Sequence, residues 1–242
     1  MHGKIKQTFI HAAKECVNLE EQKTNVAFVE SRLRNKILKM PEEIQQASGI
    51  MIYWRMIRSL VFTTDLAIIK NCDADAVFAV YPFTPQPSIS EAIIKASYIP
   101  VFCGVGGGVT QGIRTVSLAK DAENQGAMGV VLNAPITNLN LITVSRSVDI
   151  PVVITITDET TDVGQRLESG ASILNVAAGR KTAQIVRAIR EQYPDVPIIA
   201  SGGNKPGSIQ ATIEAGANAI TYTPPTTKEL FSDIMKTYRV DD

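Results

Sequence analysis

The sequence predicts a (βα)8 barrel behind an N-terminal helical extension, and three observations carry that expectation. A strand signature with proline at its entrance recurs at Ile99-Pro100-Val101-Phe102, Ile150-Pro151-Val152-Val153 and Val196-Pro197-Ile198-Ile199. A second signature, Gly-Ala running into a strand, interleaves with it at Gly126-Ala127, Gly170-Ala171 and Gly216-Ala217. An amphipathic helical stretch separates each strand from the next, so a βαβα unit repeats about every 45 residues.

The elements follow in chain order. Within residues 1–58, Ile5, Phe9, Ala12, Ala13, Cys16 and Val17 share one helical face. Val26, Val29, Leu33, Ile37 and Leu38 suggest a second helix ending at Pro41. A third stretch, Ile50 to Ile57, holds the single tryptophan, Trp54. It reads either as a lid under the barrel or as an oligomer contact, and a strand over 50–54 stays open. The barrel, residues 59–242, takes strands near 60–63, 76–80, 99–103, 129–133, 150–156, 172–176, 196–201 and 218–222. Most are apolar on both faces, as strands are when barrel filling lies on one side and helices on the other. After strand 3, Val109, Ile113, Val116, Ala119 and Ala122 recur at a helical period. The last helix opens on a capping box, Thr226 with Glu229, and is expected to turn Leu230, Phe231, Ile234 and Met235 inward. The glycine of each Gly-Ala pair suits a helix C-cap, and proline suits a strand's first residue, where its missing N–H is not needed.

Composition bounds the function. The 242 residues, 45% hydrophobic, can fill one barrel core. With 24 basic and 24 acidic residues the net charge is zero, which argues against nucleic-acid and anionic-membrane partners. Cys16, Cys72 and Cys103 form no CxxC pair, no apolar leader follows Met1, and no stretch is long enough to span a membrane, so a reducing cytoplasmic location is expected.

In such a barrel the site lies on the loops after the strands. There stand Thr63 and Asp65; Tyr81, Phe83 and Thr84; Cys103 with Gly104 to Gly108; Asn133; Thr157, Asp158 and Glu159; Asn175, Arg180 and Lys181; Ser201 to Lys205; and Tyr222 with Thr223. Both histidines, His2 and His11, are in the extension, so the mouth has no histidine base and no histidine metal site. No lysine ends a strand, which argues against a Schiff-base aldolase. Asp65, Asp158 and Glu159 offer oxygen ligands for magnesium, or equally helix N-caps. Cys103, Gly106, Gly107, Gly108 and Tyr81 form a candidate substrate loop whose glycines let a ligand approach backbone or let the loop move. Its spacing is not that of a dinucleotide fingerprint, and Cys103 has no nearby base.

Ser201-Gly202-Gly203-Asn204-Lys205 can free backbone N–H groups for an anion at a helix N-terminus. From Val196 to Gly203, and on through Glu214 to Ile220, the chain resembles the phosphate-binding barrel superfamily of thiamin-phosphate synthase, N-acetylmannosamine-6-phosphate epimerase and inosine-monophosphate dehydrogenase. The resemblance implies a phosphate held by Ser201, Gly202, Gly203 and Lys205. After strand 8, where those families place a small Gly-Ser or Gly-Thr pair, this chain has Tyr222-Thr223-Pro224-Pro225, whose prolines remove two donors. The hydroxyls of Thr223, Thr226 and Thr227, or Arg180 and Lys181 from the loop after strand 6, are the available substitutes.

These readings converge on a small-metabolite-binding, aldolase-type barrel, a lyase or isomerase acting on a phosphorylated or carboxylated substrate. Asp158, Asp65, Glu159 and Asn133 are its candidate catalytic residues, no cofactor is required except a possible magnesium ion, and a homo-oligomer is expected. A hydrolase using a carboxylate-held metal or water is one alternative, and a non-catalytic sensor or scaffold with a closed, side-chain-filled mouth is another.

Overall fold

The structure, a computed structural model, describes residues 37–203 and 206–240. The helices expected over 5–17 and through most of 26–38 lie outside the described residues, as does Lys205. Of the expected helical extension, the described part is a 3-10 turn, Glu42–Gln46, and an antiparallel hairpin of β1 (Ile50–Ile52) and β2 (Arg55–Ile57). The strand left open over 50–54 is therefore present, and it ends in a turn at Tyr53 and Trp54, both at positive φ.

Eight parallel strands then close into a barrel: β3 (Ser59–Phe62), β4 (Ala76–Ala79), β5 (Val101–Gly106), β6 (Gly129–Leu132), β7 (Val152–Ile156), β8 (Ile173–Val176), β9 (Ile198–Ser201) and β10 (Ala219–Tyr222). The barrel shuts where β10 pairs with β3. Each predicted strand end lies within three residues of the observed one, the usual uncertainty of an element boundary. The three entrance prolines sit just before β5, β7 and β9. Lacking an N–H, they still join the ladder through their carbonyls: Pro100, Pro151 and Pro197 accept from the amides of Val77, Val130 and Leu174 on the preceding strands at 2.8, 3.0 and 3.0 Å.

Alternation along each strand divides the core in two. Leu60, Ala76, Phe78, Phe102, Val131, Val153, Ile173, Ile199 and Ala219 point inward and fill the barrel, and Ile50, Ile52 and Ile57 of the hairpin join them. The hairpin reaches this position from the N-terminal end: Gly49 N–H donates to the carbonyl of Asn218, just before β10. The opposite faces, among them Val77, Cys103, Leu132, Ile154 and Leu174, pack against the helices. Those helices are α1 (Leu66–Lys70), α2 (Pro87–Ala96), α3 (Ile113–Asn124), α4 (Asn138–Ser145), α5 (Val163–Glu168), α6 (Thr182–Gln192), α7 (Pro206–Glu214) and α8 (Thr227–Val240).

Two predicted helix faces differ from expectation. Val116, Ala119 and Ala122 of α3 are buried, but Val109 and Ile113 are exposed, because the helix starts only after Gly112, which leaves Val109 in the β5 loop and Ile113 as the first helical residue. On α8 the capping box forms as expected, Thr226 N–H donating to Glu229 Oε2 at 2.7 Å and Glu229 N–H to Thr226 Oγ1 at 3.3 Å. Leu230 packs on the core, whereas Phe231 and Ile234 face outward. The glycines of the Gly-Ala pairs follow α3, α5 and α7 at positive φ, as a C-cap requires.

Candidate functional site

The next inward position on each strand, two residues beyond the filling, forms the floor of the barrel mouth. On β3, β4 and β5 these positions are Phe62, Val80 and Gly104; from β6 to β10 they are Asn133, Thr155, Asn175, Ser201 and Thr221. One side of the floor is therefore apolar and the other polar. The polar side carries a directed chain. Asn175 Nδ2 donates to Thr155 Oγ1 at 3.1 Å, and Thr155 Oγ1 donates to Asn133 Oδ1 at 3.1 Å. With its oxygen so engaged, Asn133 turns its two amide N–H donors elsewhere. Thr155 and Asn175 are buried, as is Thr221. Asn175 Oδ1 and Thr221 Oγ1 have no protein partner among the described residues, and buried polar atoms without a partner are rare enough to mark a place for water or ligand.

Above the apolar side lies a cavity of about 560 Å3, of the size that small-molecule sites have. Phe62, Val80, Tyr81, Phe83, the glycine run and Asn133 line it. The structure thus brings together Tyr81, Gly106, Gly107, Gly108 and Asn133 of the predicted residues. Tyr81 is held by its phenol oxygen, which accepts from Gln86 N–H at 2.8 Å. The glycine run packs closely: a Cβ on Gly106 would lie 2.5 Å from Thr115 Cγ2, and one on Gly107 would lie 2.8 Å from the carbonyl carbon of Asn133. The N–H groups of Gly107 and Gly108 already donate to the carbonyls of Thr110 and Pro135, both at 2.9 Å. These glycines fit the loop against β6 and α3. They do not leave it loose.

The other predicted residues stand apart from the cavity wall. Cys103 points outward into the helix layer at 1% exposure, and burial pushes its thiol up to about 11. A neutral buried thiol is a packing group, which corrects its placement on the substrate loop. Asp65 caps α1, accepting from Ala67 and Ile68 N–H, and its other oxygen accepts from the Thr227 hydroxyl at the start of α8. The Thr227 bond, with the two backbone bonds, holds this carboxyl below its ordinary value. Asp158 is exposed, accepting from the Thr160 hydroxyl at 2.5 Å and the Thr160 N–H at 2.9 Å, which also lower its pKa. Glu159 pairs with Lys181 at 3.2 Å with both side chains more than half exposed.

On the β9 loop Ser201 is half-buried and Gly202 fully so, and a Cβ there would meet Ile220 Cγ2 at 2.8 Å. Gly203 takes φ +73 in the turn toward α7. Arg180 and Thr223 are exposed. Among the described residues no three His, Cys, Asp or Glu side chains converge, and the oxygens of Asp65 and Asp158 serve caps and turns. The described residues thus build no three-carboxylate cage for magnesium, an ion that otherwise takes one or two carboxylates and keeps several of its waters.

The sequence reading missed Phe62, Thr155 and Thr221 as members of the mouth. The signal was parity: each is the inward residue two positions past an apolar inward residue, and a threonine at such a place in a buried strand faces the mouth. Among the described residues no helix is long and apolar enough to cross a membrane.

No family model and no curated protein matches this chain. Its fold does match solved structures. A phosphonopyruvate hydrolase in complex with oxalate and Mg2+ superposes with a TM-score of 0.59 at 10% identity, over 81% of this chain and 86% of that one. A Burkholderia cenocepacia protein described as a phosphonomutase gives 0.57 at 16% identity, over 75% and 91%. A 2,3-dimethylmalate lyase of the PEP mutase/isocitrate lyase superfamily gives 0.57 at 11%, over 81% and 84%. At such identities the likeness is one of fold, and what it shares with the resemblance to the phosphate-binding barrels is the (βα)8 architecture alone. The chain folds as an aldolase-type (βα)8 barrel.

Proposed function

We propose that this protein is a lyase-type barrel enzyme that cleaves or forms a carbon–carbon bond beside the carbonyl of a small metabolite. The observation that carries the reading is the cavity at the C-terminal end of the barrel, walled on one side by an Asn133 whose amide is oriented by Thr155 and Asn175. In the cleavage direction a base takes the proton of the substrate's β-hydroxyl, the carbon–carbon bond breaks, and its electron pair moves into the carbonyl as an enolate. Asn133 Nδ2 donates to that enolate oxygen, a charge-stabilising role. Tyr81, the one ionisable side chain among the described residues lining the cavity, is the proton carrier, and it returns the proton to the enolate carbon. Asp65, Asp158 and Glu159 are not assigned the base role, since their carboxylates cap, turn or pair at the rim. An open cavity also supports metabolite binding over the scaffold reading, which expects a filled mouth.

To test the reading, the full chain would be offered a panel of β-hydroxy ketones and 4-hydroxy-2-oxo acids, with aldehyde release followed by coupled reduction. Asn133→Ala is expected to lower turnover by about 10²-fold or more, and Tyr81→Phe by about 10²-fold or more, each with an unchanged fold by circular dichroism. No turnover across the panel, or turnover untouched by both substitutions, would overturn it.

A phosphate handle on the β9 loop is a second reading, favoured by the positive-φ turn at Gly203 ahead of α7 and by the exposed Arg180 and Thr223 at the same end of the barrel. In it Ser201, Gly202, Gly203, Lys205 and Thr223 hold the phosphate, with Arg180 and Lys181 adding charge. Binding of inorganic phosphate abolished by Gly203→Val would support it, and an unaffected Gly203→Val would dismiss it.

A further inference from the structure

Among the described residues that line the cavity none carries a charge: there is no Lys, Arg, His, Asp or Glu. Its polar groups are few and mostly engaged. Thr110 donates to Thr84 through their hydroxyls at 3.4 Å, and the Tyr81 oxygen accepts from Gln86 N–H. The amides of Gly107 and Gly108 are committed to the carbonyls of Thr110 and Pro135, so the glycine run does not present them to an anion. Among the described lining residues, the side-chain donors left over are Asn133 Nδ2, whose Oδ1 is taken by Thr155, and the hydroxyl hydrogens of Tyr81 and Thr84, all of them neutral. Around it the wall is Phe62, Val80, Phe83 and Val109, and the last two stand 75% and 95% exposed at the open mouth.

A phosphate or a dicarboxylate entering this cavity would leave water without meeting a countercharge, and burying an unpaired ion is strongly unfavourable. A neutral carbonyl needs one donor and brings an apolar body that covers exposed aromatic and aliphatic surface. We infer that the cavity selects an uncharged, amphipathic carbonyl compound, a ketone or aldehyde on an apolar or aromatic body, and disfavours phosphorylated and polycarboxylated ones. The inference rests on the proposed lyase site and narrows its substrate class. Specificity then lies in neutral hydrogen bonds, that of Asn133 first, and in the area of Phe62, Val80, Phe83 and Val109 that the ligand covers.

Acetophenone and phenyl phosphate share an aromatic body and differ in charge, and they are the probes for a test on the full chain by ligand-observed and protein-observed NMR. Acetophenone is expected to bind at least about tenfold more tightly, since an ion without a partner is penalised, with shifts centred on Phe83, Val109 and Asn133. Asn133→Ala should weaken it by roughly threefold to tenfold, the worth of one neutral hydrogen bond. Phe83→Lys, which places a cation at the rim, should close the gap by strengthening phenyl phosphate. Phenyl phosphate binding as tightly as acetophenone to the wild-type cavity, or acetophenone failing to bind there, would overturn the inference. The two readings fail separately. Acetophenone binding without turnover of any hydroxy ketone removes the lyase reading and leaves this one. Turnover of a phosphorylated substrate that is preferred over its neutral analogue removes this one and leaves the lyase.

Discussion

Two neighbouring glycines of the β5 loop should respond very differently to the same added methyl group. Gly107 sits at φ +120, and a Cβ there would stand 2.8 Å from the carbonyl carbon and 2.9 Å from the Cβ of Asn133. Carbon atoms rest at about 3.5–4.0 Å, so the loop or Asn133 must retreat by roughly 1 Å. Overpacking of this kind costs about 1–3 kcal/mol, and a left-handed backbone on an L-residue adds about 1–2 kcal/mol. Gly107→Ala should therefore destabilise by roughly 2–5 kcal/mol. Gly108 is at φ +62 with no atom within 4 Å of its Cβ position, so Gly108→Ala faces the backbone term alone, about 1 kcal/mol after the gain from a less flexible unfolded chain. Urea denaturation of both variants at one pH, with equal m-values, reads the difference directly. The retreat of Asn133 also breaks its alignment with Thr155, so Gly107→Ala should lose acetophenone binding, which Gly108→Ala should keep. A Gly107→Ala variant no less stable than Gly108→Ala would refute the packing role assigned to this loop.

Three further outcomes are expected. The folded-state pKa of Asp65 is lowered, first by the Thr227 hydroxyl bond, so its stabilisation is present above the ordinary carboxylate value of 3.8 and is lost as pH falls through the lower folded value; Asp65→Asn should flatten the acid limb of stability against pH, and an unchanged limb would count against the α1–α8 tether. Cys103, buried with its thiol near 11, should resist a thiol reagent at pH 8 until the protein unfolds, while half-buried Cys72 reacts sooner; equal rates in the native protein would contradict the outward, packed placement. Tyr53 and Trp54 hold φ 46 and 66, angles that a two-residue hairpin turn requires and that Asn-Gly ordinarily supplies; with Trp54 66% exposed, we propose that the pair forms a contact between copies of the chain, so Trp54→Glu should reduce the mass seen by light scattering, and a wild-type monomer at high concentration would end the idea.

The barrel was legible because its signals are local and repeated. Proline before β5, β7 and β9 and Gly-Ala before β6, β8 and β10 punctuate the chain at strand entrances, and buried strands between two layers need apolar residues on both faces. The hairpin was less legible because its turn is Tyr53-Trp54, bulky residues at angles that favour Asn and Gly, so no turn residue announced it. At the site, Tyr81 and Asn133 were found because a residue just past a strand end lies at the mouth wherever its side chain points. Asp65 and Asp158 read two ways for a physical reason: an acidic residue between a strand and a helix looks the same in sequence whether it works as a base or caps the helix, and the structure adds their partners, Ala67, Ile68 and Thr227 for one and Thr160 for the other. Thr155 and Thr221 were passed over because a single threonine scarcely breaks an apolar strand pattern.

Asn133 stands where the two halves of the mouth meet. Toward β3, β4 and β5 the floor is Phe62, Val80 and Gly104, and toward β7, β8 and β10 it is Thr155, Asn175 and Thr221. Asn133 has its acceptor satisfied from the polar side, and on the apolar side a hydrogen bond from its amide is stronger for lack of competing water. Held by Thr155, which is itself held by Asn175, the amide meets a ligand oxygen without first being reorganised, and such preorganisation is what makes a neutral donor effective in stabilising developing charge. The same argument explains why the carboxylates of the rim are not needed on the cavity wall. In the proposed lyase reading an ionised group beside Phe62 and Val80 would lose solvent without meeting a countercharge among the described lining residues, whereas an oriented amide carries little desolvation cost and leaves the charge to the substrate as the bond breaks.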